Sequence, residues 1–129
     1  MTKPTRMLCA VIVACLAGSS AGLAHHGAAA YELQNLTTLT ATVTDFEWRN
    51  PHALLRFDTT ADAGTIASWT AETAGLVILV RAGWRKDVLK PGDRITVIGR
   101  RAANGTNTML LQRVVLSSGQ ELTSFVPPK

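Results

Sequence analysis

Apolar and polar residues alternate between Leu39 and Asp58, and the phase of that alternation predicts two long strands. Leu39, Ala41 and Val43 share one side, then the phase slips by one residue and resumes at Phe46 and Trp48. A period of two marks a half-buried strand. A one-residue slip inside it predicts a bulge at Thr44-Asp45, which bends a strand and lets a sheet close on itself. Arg49-Asn50-Pro51-His52 reads as the turn that follows. Beyond it Ala53, Leu55 and Phe57 alternate against His52, Leu54, Arg56 and Asp58, so His52 leaves the turn on the more polar face.

Ala61-Asp62-Ala63-Gly64 is a turn by composition. Thr65 to Glu72 is a third strand, with Ala67, Trp69 and Ala71 on one face. Thr73 to Gly83 carries two signals. The run Leu76-Val77-Ile78-Leu79-Val80 is apolar and rich in β-branched residues, which favours a strand. Thr73 can cap a helix, Arg81 falls in its last turn, and Gly83 sits where helices stop. The reading adopted is a short buried helix. Leu89-Lys90-Pro91-Gly92-Asp93 is a turn, because Pro presets φ and Gly supplies φ > 0. Arg94 to Arg101 is a fourth strand with Ile95 and Val97 inward and a bend at Gly99. Asn104-Gly105 signals a hairpin into a fifth strand, Thr108 to Leu116, and Gly119 breaks a small hairpin before the tail.

Three strands, one short helix and two strands give an all-β class with an OB-like five-stranded barrel over residues 37–123. A lead-in at 25–36 precedes it and a tail at 124–129 follows. Closure removes sheet edges, which suits a small domain. At 129 residues the chain has length for one such domain.

The first 24 residues read as a signal peptide. Lys3 and Arg6 form a basic n-region, Met7 to Leu16 an apolar core, and Gly22-Leu23-Ala24 a small-residue cleavage site. Cleavage after Ala24 would remove both cysteines, Cys9 and Cys15. The mature chain would then have no disulfide and no thiolate ligand. The formal charge would fall from +4 to +2, since Lys3 and Arg6 leave and all nine acids stay. Nucleic acid is therefore not the expected partner. Processing leaves no transmembrane segment. Ile12-Val13-Ala14-Cys15 resembles a lipobox, so a lipid anchor at Cys15 is the alternative to a soluble periplasmic protein.

Candidate chemistry rests on three histidines: His25, His26 and His52. With His25 as the new terminus, its α-amine and imidazole can chelate one ion, and an α-amine has an ordinary pKa of about 7.7–8.0. His26 and His52 add imidazoles. Nitrogen donors without thiolate suit Cu(II), then Zn(II) or Ni(II), with copper favoured by the affinity order. The plainer reading makes His25-His26 a solvated terminus and His52 part of a turn stiffened by Pro51. Trp48 and Trp69 fall in phase with core faces, and Trp84 is placed to close the barrel's end. Arg81, Arg85, Lys86 and Lys90 read as a solvated face. Glu47, Asp58 and Glu72 are carboxylates that the sequence alone does not pair. No G-x-S-x-G elbow or Gly-rich phosphate loop is present, so no enzyme is expected. The competing expectation is a metal-free module that binds an envelope partner or a small ligand through the barrel face near Trp84.

Ala24-His25-His26-Gly27, Asn50-Pro51-His52, Trp69-Thr70-Ala71-Glu72, Ala82-Gly83-Trp84 and Leu89-Lys90-Pro91-Gly92-Asp93 follow in that order. Together they resemble an uncharacterised family (a domain of unknown function) of small exported bacterial proteins, over nearly the whole mature chain. Gly27 stands where that family usually has Ser, and Glu32 where it usually has Asp. The resemblance implies export and a small β-rich domain, and it implies no activity.

Overall fold

The computed structural model describes residues 30–125. Among these residues six strands and one α-helix run in the order Thr37–Glu47 (β1), His52–Thr60 (β2), Ile66–Gly75 (β3), Leu76–Arg81 (α1), Arg94–Arg101 (β4), Thr108–Leu116 (β5) and Glu121–Thr123 (β6), with a 3-10 turn at Asp62–Gly64 between β2 and β3. The expected hydrophobic phase sets the sheet. Ala53, Leu55 and Phe57 of β2 are buried in one core cluster with Val43 of β1, Ala71 of β3 and Val97 of β4.

β1 serves two partners. Its first half pairs with β4, from Thr37 opposite Gly99 to Thr42 opposite Arg94. Its second half pairs with β2, and Thr44 is left unpaired between Val43–Phe57 and Asp45–Arg56. This is the bulge that the phase slip predicts. The Lys90–Asp93 turn docks beside it, with the Gly92 N–H donating to the Val43 carbonyl at 2.8 Å and the Val43 N–H to the Asp93 carbonyl at 2.9 Å.

β2 pairs with β3, β4 with β5, and β3 meets β5 in parallel at Thr70–Glu72 and Thr108–Leu110. The circuit β1-β2-β3-β5-β4-β1 is a closed five-stranded barrel with the helix between β3 and β4. Beyond Leu110 the free edge of β5 is taken by β6, at Arg113–Val115. The fifth strand bends around Gly99, where the register shifts. A Cβ at that position would lie 2.5 Å from the Leu110 carbonyl oxygen, so only glycine permits the approach.

Three expectations about the middle of the chain change. β3 continues to Gly75 rather than ending at Glu72. His52 pairs with Gly75 and Leu54 with Glu72, so Thr73 and Ala74 together oppose Ala53 in a second bulge. Thr73 is therefore not a helix cap; it is buried in the strand, its hydroxyl 3.0 Å from the Ala53 carbonyl and 2.8 Å from that of Ala74. Gly75 begins α1 without a side-chain cap. Nor is the helix buried. Leu79 faces the core, while Val77, Ile78 and Val80 are 66%, 40% and 60% exposed. The third change is Trp48, which lies past the end of β1 and is half-buried, packed edge-on against Phe46 at 5.9 Å.

The helix stops as expected. Gly83 takes φ +89°, its N–H donates to the Val80 carbonyl, and the Trp84 N–H donates to that of Leu79. This reciprocal pair is a Schellman cap. It turns Trp84 inward to close the barrel's end, where Nε1 donates to the Thr123 carbonyl at 2.6 Å.

Trp69 stacks on Phe57 with ring centroids 6.3 Å apart, and the Arg101 guanidinium covers its ring at 4.7 Å. Its indole N–H is buried without a hydrogen-bond partner among the described residues. Trp69→Ala is expected to cost about 3–5 kcal/mol in a denaturant melt, the usual result of deleting a buried aromatic. Trp69→Phe removes the unsatisfied donor with the ring's outer half, and should cost less than half as much. Equal losses would show that the indole N–H is bonded in solution. Gly99→Ala should destabilise by about 1–3 kcal/mol through overpacking against β5.

Candidate functional site

The second bulge shapes the corner that holds His52. Two residues of β3 opposite one of β2 twist the pair locally and re-aim neighbouring side chains. The result sets the His52 ring beside the Thr73 carbonyl, with Nδ1 at 2.8 Å from the oxygen. A carbonyl only accepts, so Nδ1 carries the proton and, in the neutral ring, the lone pair is on Nε2. Metal-binding histidines are commonly oriented in this way, by a backbone carbonyl on the nitrogen that does not ligate.

Glu72 is on the same outer face, one step diagonal from His52. Its carboxylate oxygen lies 3.8 Å from Nδ1, too far for a hydrogen bond and close enough to attract a charged ring. Tyr31 reaches the other carboxylate oxygen at 3.4 Å, a long and weak O–H···O contact. The lead-in is fixed there by backbone bonds. Tyr31 bridges Ala102, the Glu32 N–H donates to the Arg101 carbonyl and the Ala103 N–H to that of Ala30, both at 2.8 Å. Burial first, and then the Glu72 carboxylate, push the Tyr31 phenol above its ordinary value of 10.0. A crevice of about 250 Å³ opens beside His52, between β3 and β6, lined also by Thr73, Leu111, Ser124 and Phe125.

His25 and His26 lie outside the described residues. Among the described residues no three His, Cys, Asp or Glu side chains come together as a metal site. The carboxylates singled out in the sequence are also separated. Glu47 and Asp45 share Arg56 at 2.9 and 2.6 Å, and Glu47 also holds Arg49 at 3.2 Å. Those bonds, to Glu47 first and then Asp45, raise the Arg56 pKa further above its already high ordinary value. Asp58 accepts from the Ser68 hydroxyl at 2.7 Å. Trp84 is buried, so the surface near it is offered by Trp48 and α1 instead. Among the described residues no helix is long and apolar enough to cross a membrane.

The sequence reading missed the grouping of Tyr31, Glu72 and His52. Tyr31 is the chain's single tyrosine and Glu72 falls on the polar face of its strand, but only the β2–β3 pairing and the docking of the lead-in bring them beside His52.

An OB-like barrel with a histidine corner on the β1–β2 turn defines the class of protein. More particularly, residues 12–112 match the model of a family of unknown function (DUF6152), and the chain belongs to that family. No curated protein and no solved structure matches the chain.

Tyr31 is the chain's single tyrosine, so ultraviolet titration reads it directly. Its midpoint is expected above 10, and Glu72→Gln should move it back toward 10 while leaving the part due to burial. Because the folded-state value is the higher one, the associated stability is present below the ordinary phenol range. It is lost as pH rises through the folded-state value. An unmoved midpoint in Glu72→Gln would show that Tyr31 does not sense that carboxylate.

Proposed function

We propose that this protein is exported to the periplasm and binds a transition metal, Cu(II) before Zn(II) or Ni(II), rather than acting as an enzyme. The donors are the α-amine and imidazole of His25, His26 and His52, in a soluble chain cleaved after Ala24. One observation carries the reading: the Thr73 carbonyl holds Nδ1 of His52, which leaves Nε2 as an oriented donor at the rim of an open crevice. Chain reach is consistent with it. Five residue steps separate His26 from Tyr31, which is fixed beside Glu72. Extended chain covers at most about 3.3–3.6 Å per residue, so both terminal histidines can approach that corner.

The second reading is a metal-free module for an envelope partner or small ligand. The exposed apolar face of α1 favours it.

Intact mass of the exported protein tests the terminus; lipid on Cys15 or a start beyond His26 removes the chelate. Copper titration of that protein tests the site. A form with one extra residue before His25 separates the amine from its own imidazole and should bind at least about tenfold more weakly. His52→Ala should weaken binding by a similar factor, the scale seen when metal-site partners are lost. Equal affinity in all three would mean that the histidines form no common site.

A further inference from the structure

Among the described residues the single α-helix spends most of its apolar surface on solvent. Val77 and Val80 project outward, Leu76 is half-buried, and with Trp48 and Arg81 they border an open groove of about 420 Å³. Burying Leu79 alone would not require a run of five aliphatic residues, Leu76 to Val80. Trp48 adds a large aromatic ring that is half-buried on the core side against Phe46. Contiguous apolar surface of this kind marks an interaction site.

The charges around the face indicate what covers it. Arg81 lines the groove, and Arg85 and Lys86 follow the helix cap, all exposed. Among the described residues Arg81 and Lys86 form no ion pair, and Arg85 has only Asp87 at 4.0 Å. On the β1 side Glu47 is neutralised by Arg49 and Arg56. The face is thus apolar in the middle, cationic at the rim, and carries a tryptophan at its edge. That is the pattern of segments that lie in the headgroup region of a bilayer. A second copy of the chain fits poorly. A two-fold dimer through α1 would bring Arg81 of each copy toward the same cationic rim.

We propose that the face formed by Trp48 and α1 docks onto a membrane surface bearing anionic phospholipid. Val77 and Val80 enter the interface, Trp48 sits at headgroup level, and Arg81 and Lys86 meet the phosphates. The inference is independent of any bound metal.

The experiment is sedimentation of the exported protein with vesicles of equal parts phosphatidylglycerol and phosphatidylcholine, against vesicles of phosphatidylcholine alone. Binding to the anionic vesicles is expected, falling as salt rises. Val77→Asp should reduce it by about tenfold or more, since burying one valine is worth at least that in an equilibrium constant. Arg81→Glu should reduce it and flatten the salt dependence. Both positions are exposed, and an unchanged melting temperature checks that the variants fold. Tryptophan emission gives an independent readout. Trp69 and Trp84 are already buried, so a blue shift on adding vesicles must come from Trp48 and should vanish in Trp48→Phe. No binding to anionic vesicles, or equal binding by wild type and Val77→Asp, overturns the proposal. So does a concentration-dependent dimer that Val77→Asp abolishes, which would assign the face to a second copy.

Discussion

Three residues of parallel pairing, Thr70–Glu72 against Thr108–Leu110, turn the curved sheet into a barrel. Antiparallel pairing alone would leave β3 and the Thr108–Leu110 end of β5 as open edges. Joining them requires that the strands between bend enough to bring those edges together. β1 bends at the Thr44 bulge, where it changes partner from β4 to β2. β4 and β5 bend where Gly99 lets the Leu110 carbonyl approach the backbone. The closing contact also lies directly behind the candidate site, because Glu72 is its last residue on β3 and the strand bulges immediately afterwards.

That bulge decides the chemistry of His52. With regular pairing, Thr73 and Ala74 would each have a partner across from them, and no strand carbonyl would be displaced toward the ring. With two residues opposing Ala53, the Thr73 side chain turns into the core and its carbonyl takes the imidazole N–H. The same local distortion satisfies a buried hydroxyl and fixes a histidine tautomer. The lead-in then closes the corner from the β4–β5 side through Tyr31, held by the Glu32 N–H donating to the Arg101 carbonyl and the Ala103 N–H to that of Ala30.

Much of this architecture was legible in the sequence, and the reason is periodic burial. Ala53, Leu55, Phe57, Ile95 and Val97 alternate because one face of each strand packs and the other is wet, so their phase could be counted. A slipped phase revealed the first bulge, and Gly83, Gly92 and Gly119 marked stops and turns through their φ > 0. The second bulge left no such trace. Thr73, Ala74 and Gly75 are small and fit strand, cap or turn equally, so the local sequence favours a cap at Thr73 that the pairing of β2 and β3 overrides. The apolar residues of the helix predict burial, yet composition reports affinity for an apolar environment and not which environment is supplied. For the site, His52 and its polar face were legible. Its neighbours Glu72 and Tyr31 were not, because their proximity depends on long-range pairing that no local pattern encodes.

The histidine corner and the apolar helix face share one end of the barrel. Trp48 precedes the Arg49–Pro51 turn and His52 follows it. Across the sheet, His52 pairs with Gly75, the residue that begins α1. Contact between the two sides is close, since a Cβ on Gly75 would lie 3.4 Å from the Pro51 carbonyl oxygen. The turn therefore joins Trp48 to His52, and a side chain at position 75 would meet its Pro51 carbonyl oxygen. Proteins place binding residues on loops held by a rigid scaffold, and here a single short turn carries both candidate functions. The barrel supplies the rigidity, the bulge in β3 supplies the histidine's orientation, and the Schellman cap fixes where the apolar face ends.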